Sequence, residues 1–522
     1  LDYSSSENGV IMGSIKIDGN HLTIEEIIAV ARNGAYVELA PAAEVAINQS
    51  RSWVEEIIQS GKPVYGINTG FGIFSDIRIS AEDSAQLSRN LILSHAVGTG
   101  DPLPDEIVRA AILVRANTLA KGHSGVRLTL VDTLLALLNK RLTPVVPSQG
   151  SLGSSGDLAP LSHLALVITT DLRDLDAESG LARYQGDTLS GKTAMARAGI
   201  ERIVLQAKEG LALSNGASFS AAIGALVVFD AATLLRAGEI SLALSLEALM
   251  GCSAAFDERL HRARGFTGQA KVAENVRALI SGSNLVDRAQ RVQDAYSLRC
   301  APQVQGACRD TLDFVQRIIE IEINAATDNP LLFDPGVALS GGNFHGEPIG
   351  MVMDYLGIAL TELAAISERR TSRLIDSNAN GGLPPMLVDK NEDAGLNSGM
   401  MMPHYTAASL VLENRTLASP DSVGSLPVSA QQEDHNANAM TAARHAARII
   451  TNTAHVLAIE SYVAARALDL RLKQHPSAVL GAGTGKTFKK IREIIPYLPG
   501  DTWWAPEIEQ MRALVLNRGL EI

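Results

Sequence analysis

Aromatic residues are scarce: Phe, Trp and Tyr together make 4% of the 522 residues, against a hydrophobic fraction of 46%. The core must therefore be built from Leu, Ile, Val and Ala, and such a composition leans towards helix. Cysteine is nearly absent. Cys252, Cys300 and Cys308 form an odd, sparse set. That excludes a disulfide framework and offers no CxxC or Cys/His spacing for zinc, so no metal is expected. Reduced thiols and a cytoplasmic location follow as expectations. No long run of one charge sign occurs, and the formal net charge is −12. The basic face that phosphate binding needs is missing, which argues against nucleic acid as a partner. No uncharged apolar run approaches the length of a membrane span, and the first residues lack the basic start and apolar stretch of a signal peptide. Repeats and low-complexity segments are also missing.

What is present is helical periodicity. Ile15-Lys16-Ile17-Asp18 reads as a short strand. Apolar residues at three- and four-residue spacing predict helices near 23–33, 41–60, 81–97, 104–121 and 127–140. Asn68-Thr69-Gly70-Phe71-Gly72 reads as a loop by its turn chemistry. After about residue 205 the helical patterns lengthen to 216–250, 307–327, 348–373, 404–416 and 436–472. These predict a bundle of long helices. The expected organisation is an N-terminal mixed domain over 1–205 and a long-helix bundle with a C-terminal helical region over 206–522.

Residues 148–156 read SQGSLGSSG, between the apolar run Thr143-Pro144-Val145-Val146-Pro147 and a helix-like run over 161–168. Apolar flanks on both sides predict a buried loop, which is rare because its backbone polar groups need partners. Ser154-Ser155-Gly156-Asp157 is the chemical core of that loop. Glycine after serine permits a tight turn in which the Gly156 nitrogen reaches the carbonyl carbon of Ser154. Cyclisation with loss of two waters gives a five-membered imidazolone whose Ser155 carbon becomes an electron-poor alkene. Taken alone, the tetrapeptide is usually a plain turn.

The context is more specific. Gly150-Ser151-Leu152-Gly153-Ser154-Ser155-Gly156-Asp157-Leu158-Ala159-Pro160-Leu161 resembles the signature of the histidine, phenylalanine and tyrosine ammonia-lyase family. Tyr65-Gly66-Ile67-Asn68-Thr69-Gly70-Phe71-Gly72 is similar to that family's active-site loop. Further matching blocks are Lys208 to Gly216, Gln293 to Gln303, Glu322-Ile323-Asn324, Thr327-Asp328-Asn329-Pro330 and Gly341-Gly342-Asn343-Phe344-His345-Gly346. They occur in order from about residue 20 to about residue 470.

The resemblance implies a mostly α fold, a long-helix bundle of the histidine/phenylalanine ammonia-lyase type, with a smaller N-terminal mixed region carrying the active-site loop. It implies an ammonia-lyase acting on a small aromatic amino acid, and a homotetramer with shared active sites. It also implies 4-methylideneimidazole-5-one made from Ser154, Ser155 and Gly156, with no external cofactor. Tyr65 would take the β-proton, on a loop able to close over substrate. Arg299 would hold the substrate carboxylate with its planar fork. Asn215 would support the carboxylate or the amine. Tyr296, one helical turn before Arg299, would assist proton movement, Gln293 would line the site, and Phe344 would pack on a ring. Without the resemblance, each is more simply a core or surface residue.

Substrate choice rests on Ser94-His95, where the family places its ring-selecting pair, and on Glu433. His95 suits imidazole or phenol, and the Glu433 carboxylate suits a partly charged imidazole. Histidine converted to urocanate is the first reading. A tyrosine ammonia-lyase or tyrosine 2,3-aminomutase is the second, and a catalytically silent helical oligomer the third. The sequence departs from the family at Ser154, where alanine is usual, at Asn436-Ala437-Asn438-Ala439-Met440, and at Met400-Met401-Met402-Pro403-His404.

Overall fold

The computed structural model describes residues 13–70, 77–80, 83–289, 291–390 and 393–521. Phe71 and Gly72 of the expected loop lie outside them. The fold is mostly helical, with a few short strands. The periodicity found its elements closely. The helices run over Ile24–Ala31, Pro41–Ser60, Ser84–His95, Asp105–Ala120 and Leu128–Asn139, then Ser218–Ala248, Ala301–Glu322, Glu347–Ile375, Met401–Leu417 and Ala439–Gln474.

Local chemistry sets the boundaries. Thr23 caps the first helix, and Glu26 reaches back to the Thr23 nitrogen, a capping box that contributes about 1 kcal/mol. The second helix starts on Pro41 and ends at Gly61 in the left-handed region (φ 66°), the expected asymmetry of proline at entry and glycine at exit. The strand Ile15–Ile17 pairs in parallel with Val37–Leu39. Thr143–Pro144, Leu181–Tyr184 and Asp187–Ser190 form a small antiparallel sheet.

The chain divides differently from the expected boundary at 205/206. One compact unit comprises 1–226, 317–351 and 421–443, the other 227–316, 352–420 and 444–522. Four of the long helices pass from one unit into the other along their length, so no single cut in sequence separates them. A linear reading of composition cannot see this interleaving.

Within the second unit the helices approach closely at small residues. A Cβ on Gly238 would lie 3.0 Å from Leu363, and one on Gly357 would lie 3.2 Å from Ile449. Polar side chains also link them: Ser241 to Ser461 at 2.7 Å, Asn452 to Asn414 at 2.9 Å, and Arg309 to Glu239 at 2.6 Å. Ser218–Ala248 and Glu347–Ile375 are long and apolar enough to cross a membrane by length and composition. Counting only uncharged runs overlooked them, because each tolerates a few charges. Their most apolar stretches are 83% and 61% buried inside the protein, which is how core helices behave.

Candidate active site

Three helices of the first unit, Ser84–His95, Leu158–Ile168 and Glu209–Ser214, pack against one another. The first ends on His95, the second follows the Ser154-Ser155-Gly156 turn, and the third ends just before Asn215. They border a cavity of about 1380 Å³. Tyr65, His95, Ser154, Ser155, Asn215, Phe344 and Glu433 all line it. Gly156 is buried behind the two serines.

The turn is held by a second stretch of backbone. Gly156 and Gly216 form a parallel bridge: the Gly216 nitrogen donates to the Ser155 carbonyl at 3.0 Å, and the Asp157 nitrogen donates to the Gly216 carbonyl at 2.9 Å. Gly156 has φ 82°, and a Cβ there would fall 2.1 Å from the Gly216 carbonyl carbon. Gly216 has φ 106°, and a Cβ there would fall 2.4 Å from the Thr327 carbonyl oxygen. Only glycine serves at either place. With its amide oriented to suit its neighbours, Asn215 also donates to the Ser155 carbonyl, at 2.8 Å, and accepts from the Asn329 nitrogen at 3.0 Å. These are the partners that a buried loop requires.

Beneath the turn lies a group of buried charges. Asp157 accepts from Ser151 Oγ, Ser220 N and Ser220 Oγ, each at 2.8 Å. Burial pushes its carboxyl up, against those hydrogen bonds and the Arg115 charge. Arg115 is fully buried, and burial pushes its guanidinium down to about 10. Its Nε and Nη2 have no hydrogen-bond partner among the described residues. Lys208 is buried in an ion pair with Asp328, and burial pushes its ammonium down. The sequence reading missed Arg115. Its signal is a lone charge inside the apolar run Ile112-Leu113-Val114-Arg115-Ala116.

On the cavity wall, Glu433 is anchored through its backbone: Val428 N donates to Glu433 O at 2.9 Å, and Glu433 N donates to Val428 O at 3.3 Å. Its Oε2 accepts from Ser154 Oγ at 2.6 Å and from Ser155 Oγ at 3.4 Å. His95 Nδ1 lies 2.9 Å from Ser94 Oγ, whose own proton goes to the Leu91 carbonyl. Nδ1 therefore donates to that oxygen, and Nε2 of the neutral ring is an acceptor. Burial lowers the His95 pKa, with the Glu433 charge opposing, so the ring is neutral near pH 7. His345, which the sequence shows only as part of a motif, lines the cavity too. Its Nε2 donates to the His435 carbonyl at 3.2 Å, and the two rings stack at 5.8 Å.

Gln293, Tyr296 and Arg299 do not line this cavity. They belong to the second unit. Tyr296 and Arg299 occupy one helical turn, as the spacing predicts, with the guanidinium 4.8 Å over the ring. Tyr296 is 70% exposed.

The sequence profile described as aromatic amino acid lyase matches residues 22–493. The histidine ammonia-lyase of Caldanaerobacter subterraneus subsp. tengcongensis is 49% identical over 94% of both chains. The crystal structure of histidine ammonia-lyase from Trypanosoma cruzi is 36% identical with a TM-score of 0.88, over 97% of this chain and 94% of that one. The tyrosine aminomutase of Streptomyces globisporus is 35% identical with a TM-score of 0.90, over 97% and 98%. With that likeness running the length of the chain, and a glycine-locked serine pair facing a cavity, the chain belongs to the aromatic amino acid lyase family of carbon–nitrogen lyases.

Proposed function

We propose that the chain eliminates ammonia from L-histidine to give urocanate, using 4-methylideneimidazole-5-one made from Ser154, Ser155 and Gly156. The observation that carries the substrate is the meeting of Glu433 and His95 in one cavity with Ser155. A protonated imidazole ring has one N–H for the Glu433 carboxylate and a second for the lone pair on His95 Nε2. Phenylalanine satisfies neither and leaves Glu433 Oε1 and His95 Nε2 without a donor from the substrate, which is costly. Tyrosine satisfies one through its hydroxyl.

The residues fit the prosthetic group: Gly156 is held at positive φ in a cradle that a Cβ would fill. The group supplies an electron-poor alkene at the Ser155 side-chain carbon, which turns a poor leaving group into a better one. The Gly216 nitrogen and the Asn215 amide both donate to the Ser155 carbonyl oxygen, so negative charge arriving there is stabilised by fixed donors. Tyr65, on the same cavity wall, takes the β-proton. Phe344 packs on the substrate or on the ring beside it.

The same reading assigns Gln293, Tyr296 and Arg299 to the cavity of another copy, in a homotetramer with shared active sites. There Arg299 holds the carboxylate with its fork, Tyr296 assists proton movement and Gln293 lines the wall. The exposure of Tyr296 supports this. A cytoplasmic setting belongs to the same proposal, with all three cysteines free.

Steady-state assays of the wild type with L-histidine, L-tyrosine and L-phenylalanine test the substrate. Histidine should give the highest kcat/KM, tyrosine a lower one and phenylalanine little. Conversion of tyrosine without histidine would overturn the reading; β-tyrosine among the products would then select an aminomutase, and 4-coumarate alone a lyase.

A further inference from the structure

Ser154 is 8% exposed, and its hydroxyl donates to Glu433 Oε2 at 2.6 Å, the short distance of a charge-assisted hydrogen bond. The Ser155 hydroxyl reaches the same oxygen at 3.4 Å. These two contacts differ in permanence. Ring formation removes the Ser155 hydroxyl as water and leaves the Ser154 side chain intact. Alanine at 154 would leave Glu433 with neither hydroxyl once the ring is made.

The backbone of Glu433 is fixed on both sides by its bridge to Val428. What remains free is the side chain, with rotamers that substrate binding would otherwise have to order. Both hydroxyl contacts fall on Oε2, which leaves Oε1 for a ring N–H. A flexible carboxylate pays its ordering at each binding event; one tied to Ser154 is already placed.

We infer that Ser154 is a positioning residue for substrate recognition: it holds the Glu433 carboxylate so that its second oxygen receives the imidazole N–H. The inference rests on the histidine reading above for the identity of the ring. Its effect falls on substrate binding, since the hydroxyl touches Glu433 and not the carbon that reacts.

The test compares Ser154→Ala and Ser154→Thr with the wild type. All three should show an intact mass short by two waters, because position 154 contributes only its backbone to the ring. Ser154→Ala should raise KM for L-histidine by about tenfold, the scale of one hydrogen bond to a charged group. Its kcat should stay within about threefold, since a group that acts in binding moves KM. Ser154→Thr should restore KM, because threonine keeps the hydroxyl. In a Glu433→Ala background, Ser154→Ala should change kcat/KM by less than about twofold, as expected when one residue acts through the other.

An unchanged KM in Ser154→Ala overturns the inference. So does an equal loss in the Glu433→Ala background, or a full mass in Ser154→Ala, which would place the serine in ring formation. Wild-type turnover of tyrosine without histidine defeats the substrate reading instead. The coupling of 154 to 433 is then measured on tyrosine, and its absence there overturns the positioning role on its own.

Discussion

Each unit of the chain buries an arginine completely, and the two arginines are treated in opposite ways. In the second unit, Arg370 meets both oxygens of Glu460, at 2.5 and 2.7 Å, and the same carboxylate accepts from Ser245 and Ser367. In the first unit, Arg115 donates to the Ala212 carbonyl at 3.3 Å, while its Nε and Nη2 find no hydrogen-bond partner among the described residues. Burial moves three groups there away from their ordinary values: Arg115 and Lys208 down, Asp157 up. A satisfied network costs little and fixes how helices pack. An unsatisfied one stores free energy, and it lies where Gly156 and Gly216 are pressed backbone to backbone. Proteins break local consistency at functional sites and compensate elsewhere.

The largest effect should come from Ser155. Ser155→Ala removes the hydroxyl whose loss makes the alkene, and turnover should fall by several orders of magnitude, roughly 10³-fold or more. Wild-type kcat in this variant ends the proposal. Tyr65→Phe comes next: kcat should fall by about 10²–10⁴-fold, the usual contribution of a general base, with a smaller change in KM. A rise in KM alone would make Tyr65 a binding residue.

The two arginines can be set against each other directly. Glu460→Gln removes the charge of the carboxylate paired with Arg370 and should cost about 3–5 kcal/mol, read as a lowered Tm, while the mass deficit of two waters persists. Arg115→Met removes the under-satisfied charge next to Gly216, where a Cβ would meet Arg115 Nη2 at 2.9 Å. It should reduce the fraction of chains carrying the deficit more than it lowers Tm. The reverse pattern would show that both networks are merely structural.

The smallest effect concerns pH. His163 Nε2 accepts from the Gly98 nitrogen at 3.0 Å, and burial lowers its pKa below 6.5. As pH falls through about 6.5, the unfolded chain takes up a proton before the folded one, so stability declines towards acid and is complete above that value. His163→Gln should flatten this slope in Tm measured from pH 7.5 to about 5.5. An unchanged slope would remove His163 from the account.

The helices of both units were legible because three- and four-residue spacing is a local signal. The expected helix over 348–373 is Glu347–Ile375, and that over 436–472 is Ala439–Gln474. The division into units was not legible, since it depends on four helices passing from one unit to the other. At the site, resemblance placed Tyr65, His95, Asn215, Phe344 and Glu433, which the fold then brought into one cavity. Arg115 went unnoticed because a buried charge inside an apolar run reads as a helix-surface residue. The Ser154–Glu433 hydrogen bond spans 279 positions in the chain, and no spacing argument reaches that far.

The most direct measurement is the intact mass of the denatured wild type, followed by peptide mapping across residues 154–156. The account predicts a chain short by two waters, with the whole deficit in that tripeptide. A full-length mass, or a deficit located elsewhere, would contradict it.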